Sequence, residues 1–412
     1  MFESINPESI GLSSTRLARI TPWMERYVEA GKLPGCLTAV LRKGRLAYLN
    51  CSGFADPQSQ RRVEPDTVFR IYSMTKPIVT AAAMTFFEEG RFQLDDPLAR
   101  FLPEFADARV WVEGEGDSMR TEPAAEPIKI WHLMTHTAGL VYGARNSTPV
   151  GAMCRAAGID FSKRNDATLA DTVRALAAIP LRWQPGTRWE YSVATDVLGR
   201  LVEVLAGQPL DQVLRERIFT PLGMHDTGFA LKDGQLARFA ALFNAKKDCK
   251  GESLELAEAP DENATHARKV TLFSGGGGLL STAGDYLRFA EAMRNKGVLA
   301  GTRILGRRTV ELMTINQLPG NSDLAGMGTT VHSETSYEGI GFGLGFSVVL
   351  DPAAAKAACS TGEIAWGGAA STAFWVDPDE EIAVVFLTQV MPSSTYPIRR
   401  ELHSLVYQAL ID

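Results

Sequence analysis

From Ile78 to Phe87 the chain is apolar on nearly every face and rich in helix formers, with Glu88, Glu89 and Gly90 closing the run. A helix without a polar side must be a central element, packed from all directions. Pro77 sets where it starts, because proline is tolerated only in the first turn, where its missing N–H has no partner to lose. The helix therefore begins close to Ser73, and Ser73-x-x-Lys76 is the only Ser-x-x-Lys in the sequence. This spacing puts the hydroxyl at the positive end of the helix dipole and the amine one turn on along the same face. Burying an ammonium without purpose is unfavourable, so an idle surface lysine suits this helix poorly. Burial and dipole both favour a neutral amine that takes the serine proton, giving a nucleophile without histidine.

Composition narrows the classes of partner. At 412 residues the chain exceeds a typical single core, so one large domain with an inserted or appended subdomain is expected. A net charge of −6 and a pI near 5.7, with no basic run among aromatics, exclude a nucleic-acid or anionic-membrane partner. The opening residues Met1 to Glu8 lack an apolar core and no later run is long enough to span a bilayer, so a cytoplasmic protein is expected. Cys36, Cys51, Cys154, Cys249 and Cys359 are scattered and odd in number, which reads as reduced thiols.

The pattern predicts an amphipathic helix from Ser13 to Ala30, then a hairpin of strands Cys36–Arg42 and Arg45–Cys51. Further β-rich runs lie at Phe342–Leu350, Ala365–Val376 and Ile382–Thr388, before a helix near Tyr396–Leu410. Between them, helices are expected at Asp171–Ala178, Ala194–Ala206 and Asp285–Lys296, the last fed by Gly275–Gly278 and capped by Thr282. Segments 112–127 and 245–268 read as polar surface loops. The fold expected is α/β: one antiparallel sheet built from 1–90 and 336–412, a mainly helical domain over 91–335, and a cleft between them.

Two more features carry chemistry. Tyr191-Ser192 stands just before a helix, after the Pro185-Gly186 turn. It reads either as a packed tyrosine with its hydroxyl capped or as a phenol that passes protons to and from Lys76. Trp366-Gly367-Gly368-Ala369 lies inside a strand pattern, where glycines mark a bulge or the close approach of another group to the backbone. Other readings fall away. His132 and His136 have i, i+4 spacing but no intervening glutamate or third ligand, so packing and capping are expected. The four glycines lack the ending of a phosphate loop, no Gly-x-Ser-x-Gly elbow occurs, and Asp95-Asp96 reads as a loop cap. No metal or organic cofactor is required.

Taken together, Ser73-x-x-Lys76, Tyr191-Ser192-Val193 and Trp366-Gly367-Gly368 resemble the three motifs of the serine β-lactamase and penicillin-recognising superfamily. The chain is most similar to its class C-like carboxylesterases, called family VIII. His132–Leu140 and Pro221–Met224 agree, and the resemblance runs from about residue 10 to the C-terminal helix. Trp366 stands where β-lactamases carry a lysine for the substrate carboxylate, and Val193 where class C enzymes carry asparagine; both changes favour neutral esters.

The resemblance implies a β-lactamase/transpeptidase-like fold and a serine carboxylesterase working through an acyl-enzyme on Ser73. Lys76 or Tyr191 is the resting base, and the backbone N–H groups of Ser73 and Ala369 hold the oxyanion. Trp366, Gly367, Gly368 and Tyr142 would line the pocket for small to medium, short-acyl esters. Three alternatives remain: transfer to an alcohol acceptor, weak β-lactamase or D-amino-acid peptidase activity, and a non-catalytic ligand-binding module.

Overall fold

The computed structural model describes residues 2–143, 146–162, 167–248, 251–328 and 337–412. Its main sheet draws strands from both ends of the chain: β1 (Gly35–Arg42), β2 (Arg45–Asp56), β3 (Arg61–Arg62), β4 (Ile340–Phe342), β5 (Ser347–Val349), β6 (Ile364–Gly367), β7 (Ala373–Asp377) and β8 (Ile382–Thr388). The eight strands lie in the order β4-β5-β6-β7-β8-β1-β2-β3, with antiparallel neighbours throughout. β1 and β8 join the two halves in a register running from Cys36 opposite Thr388 to Arg42 opposite Ile382. Every residue of β8 is buried, which explains why Ile382–Thr388 shows an apolar run instead of alternation.

Five helices organise the molecule around this sheet: α1 (Ile20–Glu29), α2 (Thr75–Glu88), α3 (Ala194–Ala206), α4 (Ala283–Arg294) and α5 (Ile398–Tyr407). One core layer sets Leu37, Ile364, Phe374 and Val385 of the sheet against Ile78, Phe86 and Phe289. The other sets Val40, Trp375, Val384 and Phe386 against Trp23, Met24 and Leu402 of α1 and α5. Residues Thr75 to Phe86 of α2 are all buried, the environment its all-round apolar sequence requires. Although α4 falls within 91–335, it lies against β7 and β8, so that segment also supplies part of the sheet's cover.

Several expectations needed correction. The N-terminal helix is broken into Ser14–Leu17 and α1. The run Phe342–Leu350 turns back on itself between β4 and β5, and Gly345 in that turn has φ +88. A Cβ there would stand 2.7 Å from the Thr80 hydroxyl, so the turn is pressed onto α2. Ala365–Val376 is likewise a hairpin, β6 and β7, with Gly367 closing β6 and Gly368 in the bend instead of both in a strand interior. Segments 112–127 and 245–268 contain antiparallel ribbons, Arg109–Glu113 with Arg120–Pro123 and Leu242–Asp248 with Gly251–Glu258. Their polar composition reflects ribbons with solvated faces, held partly by cross-strand ion pairs such as Lys246–Glu255 at 2.7 Å. Cys36, Cys51, Cys154 and Cys359 are free thiols, and Cys249 lies outside the described residues. Among the described residues no helix is long and apolar enough to cross a membrane.

Two outcomes are expected. Ala82 of α2 is 0 % exposed, so Ala82→Leu should overfill the site and lower stability by about 1–3 kcal/mol, read as a reduced urea midpoint. His132 accepts a hydrogen bond at Nδ1 from the Lys129 amide at 3.0 Å, which requires the neutral ring. Burial, with the Lys129 charge, pulls its pKa from 6.5 down to about 4. A folded-state pKa below the unfolded one means that this contribution is complete above pH 6.5 and is lost as pH falls toward about 4. In thermal melts across that window, His132→Gln should lose less stability than the parent protein.

Candidate active site

Ser73 sits in a single tight turn, Tyr72–Met74, that leads directly into α2. Pro77 is the third residue of the helix, within the first turn where it sacrifices no hydrogen bond. Tyr72 has φ +44, an unfavourable left-handed conformation for a residue with a side chain, and it presents Ser73 at a bend. The buried hydroxyl of Tyr286 on α4 donates to the Met74 carbonyl at 2.9 Å and fixes the other side of that turn.

The Lys76 side chain is 1 % exposed and meets three oxygen atoms. Its Nζ lies 2.6 Å from the Gly276 carbonyl, 2.9 Å from the Tyr142 hydroxyl and 3.3 Å from Ser73 Oγ. Tyr142, expected in the substrate pocket, is therefore a partner of the lysine. Tyr191 also packs on the amine, with its ring centre 4.6 Å from Nζ. Its hydroxyl accepts a hydrogen bond from Trp366 Nε1 at 3.4 Å. Ser73, Lys76 and Tyr191 are thus gathered at the head of one helix.

The glycine run supplies a residue that no local signal marked. Gly276 is held by Asp196 on α3, whose Oδ1 accepts from the Gly276 amide at 3.0 Å and the Ser274 hydroxyl at 2.6 Å. A Cβ on Gly275 would stand 2.6 Å from the Thr195 carbonyl, and one on Gly276 2.3 Å from Asp196 Oδ2. Only glycine lets this turn press against α3 and aim a carbonyl at Lys76.

The third motif approaches from the opposite side. Trp366 stands in an aromatic wall with Tyr191 and Phe342, with ring centres 5.3 and 5.2 Å away. At Gly368 a Cβ would be 2.5 Å from the Ile71 carbonyl, so the bend after β6 lies directly on the chain leading to Ser73. Ser73, Gly367, Gly368 and Ala369 line one cleft together with Tyr191 and Trp366. Arg399 of α5 was not anticipated here. Its guanidinium lies over Gly367 and donates to the carbonyls of Thr372 at 3.1 Å and Ser393 at 3.4 Å, bracing the hairpin.

His136 lies just beyond the Ile130–Met134 helix, with φ +56, and its ring edges onto Tyr191 with centres 4.9 Å apart. Burial and then the Lys76 charge hold its imidazole well below the usual histidine range. The ring is thus a neutral packing partner, in hydrogen-bonding contact with Ser192 Oγ at 3.3 Å. Among the described residues no group of three or more His, Cys, Asp or Glu side chains could hold a metal ion.

The chain is similar to known proteins along most of its length. The Beta-lactamase family model matches residues 20–408. Esterase EstB from Burkholderia gladioli is 33% identical over 402 residues, covering 93% of each chain. Protein Rv1367c from Mycobacterium tuberculosis is 35% identical over 370 residues, covering 88% of each. Among solved structures, "EstCE1, a hydrolase with promiscuous acyltransferase activity" superposes with a TM-score of 0.77 at 31% identity, covering 95% of this chain and 99% of its own. The β-lactamase/transpeptidase-like fold and the esterase relatives agree, and this chain belongs to the beta-lactamase family as a serine ester hydrolase of the family VIII type.

Proposed function

We propose that the enzyme hydrolyses neutral carboxylic esters through an acyl-enzyme on Ser73, activated by Lys76. The contact set of the Lys76 amine carries this reading. A neutral amine has two N–H bonds and one lone pair. With the N–H bonds given to the Gly276 carbonyl and Tyr142 hydroxyl, at 2.6 and 2.9 Å, the lone pair is left for the Ser73 proton. In that deprotonated form Lys76 takes the serine proton, and Tyr142 positions it where Val193 leaves no amide side chain to do so.

The steps follow from that arrangement. Ser73 Oγ attacks the ester carbonyl as its proton passes to Lys76, and the amides of Ser73 and Ala369 stabilise the oxyanion. Each such donor is worth about 3 kcal/mol in acyl-transfer sites. Tyr191, whose oxygen already accepts from Trp366, gives its proton to the departing alkoxide and is reprotonated from Lys76. Water then attacks the acyl-enzyme with the same groups acting in reverse. No metal or organic cofactor enters these steps. We place the reaction in the cleft between the sheet domain, 1–90 with 336–412, and the mainly helical domain, 91–335. The apolar wall at Trp366, with Gly367 and Gly368 beside it, suits a neutral ester with a short arm at that wall over an anionic amide. A cytoplasmic setting fits the reduced-thiol reading of its cysteines.

Transfer to an alcohol is the second reading, favoured by the acyltransferase activity named for EstCE1 and by the 27% identity to "Acyltransferase calJ" of Penicillium decumbens over 347 residues.

Ser73→Ala should lower hydrolysis of p-nitrophenyl acetate by at least about 10⁴-fold and abolish labelling by a fluorophosphonate, with an unchanged melting temperature. Retained turnover would remove Ser73 from its role. In the same assay, added butanol should divert acyl groups to butyl acetate if transfer competes with water. Tyr142→Phe should reduce kcat about 10- to 100-fold, as for a buried N–H left without its acceptor, with KM little changed. A change confined to KM would return Tyr142 to the substrate pocket.

A further inference from the structure

The cleft at Ser73 continues beyond the aromatic wall. Its volume is about 200 Å³, and it passes Gly367 onto the outer face of the sheet. There Ser347 pairs with Ala365, Ala365 with Trp375, and Gly367 with Ala373. Directly paired residues in an antiparallel sheet share a face, so these positions form one continuous surface. Trp375 is covered by α5, where His403 stacks on it with ring centres 4.0 Å apart. Past that contact the floor shrinks to Ala373, Gly367, Ala365 and Ser347, and Ala355, Ala357 and Cys359 also line the channel. Small residues on a sheet face that lies open to a walled channel leave room for a guest, whereas β8 fills its face with large side chains.

Glu363, His403 and Arg399 along this channel already have protein partners. Glu363 is 3.0 Å from His403 Nε2 and also accepts from the Tyr407 hydroxyl. His403 Nδ1 meets the Arg399 carbonyl at 2.9 Å, and the Arg399 guanidinium donates to Thr372 and Ser393. What remains for a ligand is mainly apolar surface, with the Arg400 and Ser393 side chains also in the lining. From Gly367 to Glu363 the strand advances about 13 Å, roughly the length of a ten-carbon chain.

We propose that this trench binds an extended hydrocarbon arm of the ester, either its acyl chain or its alcohol, while the aromatic wall at Tyr191 and Trp366 confines the other arm. The assignment rests on Ser73 being the reacting centre and adds the substrate class: esters with one long apolar arm.

Two substrate series distinguish the arms: p-nitrophenyl esters from acetate to decanoate, and n-alkyl acetates from ethyl to decyl followed by acid release. In one series kcat/KM should rise by about 100-fold or more from the shortest to the longest member, since each buried methylene is worth about a threefold gain. Ala357→Trp, in the channel lining, and Ala365→Trp, in the floor, should each bring that ratio close to one. A flat or falling profile in both series, or a rise that survives both substitutions, overturns the proposal. Calorimetric binding of 1-decanol to the Ser73→Ala protein separates the trench from the nucleophile. Ala357→Trp should weaken that binding at least tenfold, and equal affinity in its presence and absence overturns the trench whatever the outcome for Ser73.

Discussion

A lysine amine buried to 1 % exposure at the head of an apolar helix is the demand that the rest of the molecule answers. An amine so placed is tolerable only if its hydrogens are accepted and its lone pair has a use. Gly276 and Tyr142 accept, and Ser73 stands at 3.3 Å. The three partners come from sequence positions up to 200 residues from Lys76, so a large part of the chain must fold for this one nitrogen to be satisfied. The clustered glycines are a direct consequence, because the Gly276 carbonyl reaches Lys76 only when its turn lies flush against α3.

The sheet serves the same end from the opposite side. Drawing β1–β3 from the N-terminal end and β4–β8 from the C-terminal end sets the bend after β6 against the turn that bears Ser73. Trp366 then closes an aromatic enclosure around Tyr191. Esterase relatives and a serine hydrolase fold are what such an enclosure would accompany: an acyl-transfer centre with an apolar rim.

Much of this was legible in the chain, and for stated reasons. α2, β1, β8 and α3 follow from continuous apolar runs bounded by Pro77, Gly90, Lys43-Gly44 and Gly207, punctuation that tertiary contacts do not override. Thr282 caps α4 as its type and place suggested, accepting from the Asp285 amide at 3.3 Å. Where long β-rich runs held glycine, the period was ambiguous: Phe342–Leu350 and Ala365–Val376 each read as one strand and fold as hairpins. The ribbons at Arg109–Pro123 and Leu242–Glu258 escaped notice because a solvated ribbon carries the composition of a loop.

By itself, the sequence determined which atoms could do the chemistry. A proline-marked helix start tied one serine to one lysine, and the motif order around Tyr191 and Trp366 named the family. Only the tertiary structure decided how the lysine is held. It set Tyr142 against the lysine, brought in Gly276 with Asp196 behind it, and laid Arg399 over Gly367. The reason is range: a helix start is written in neighbouring residues, whereas the partners of a buried nitrogen are chosen by whatever backbone and side chains the packed core delivers within about 3 Å.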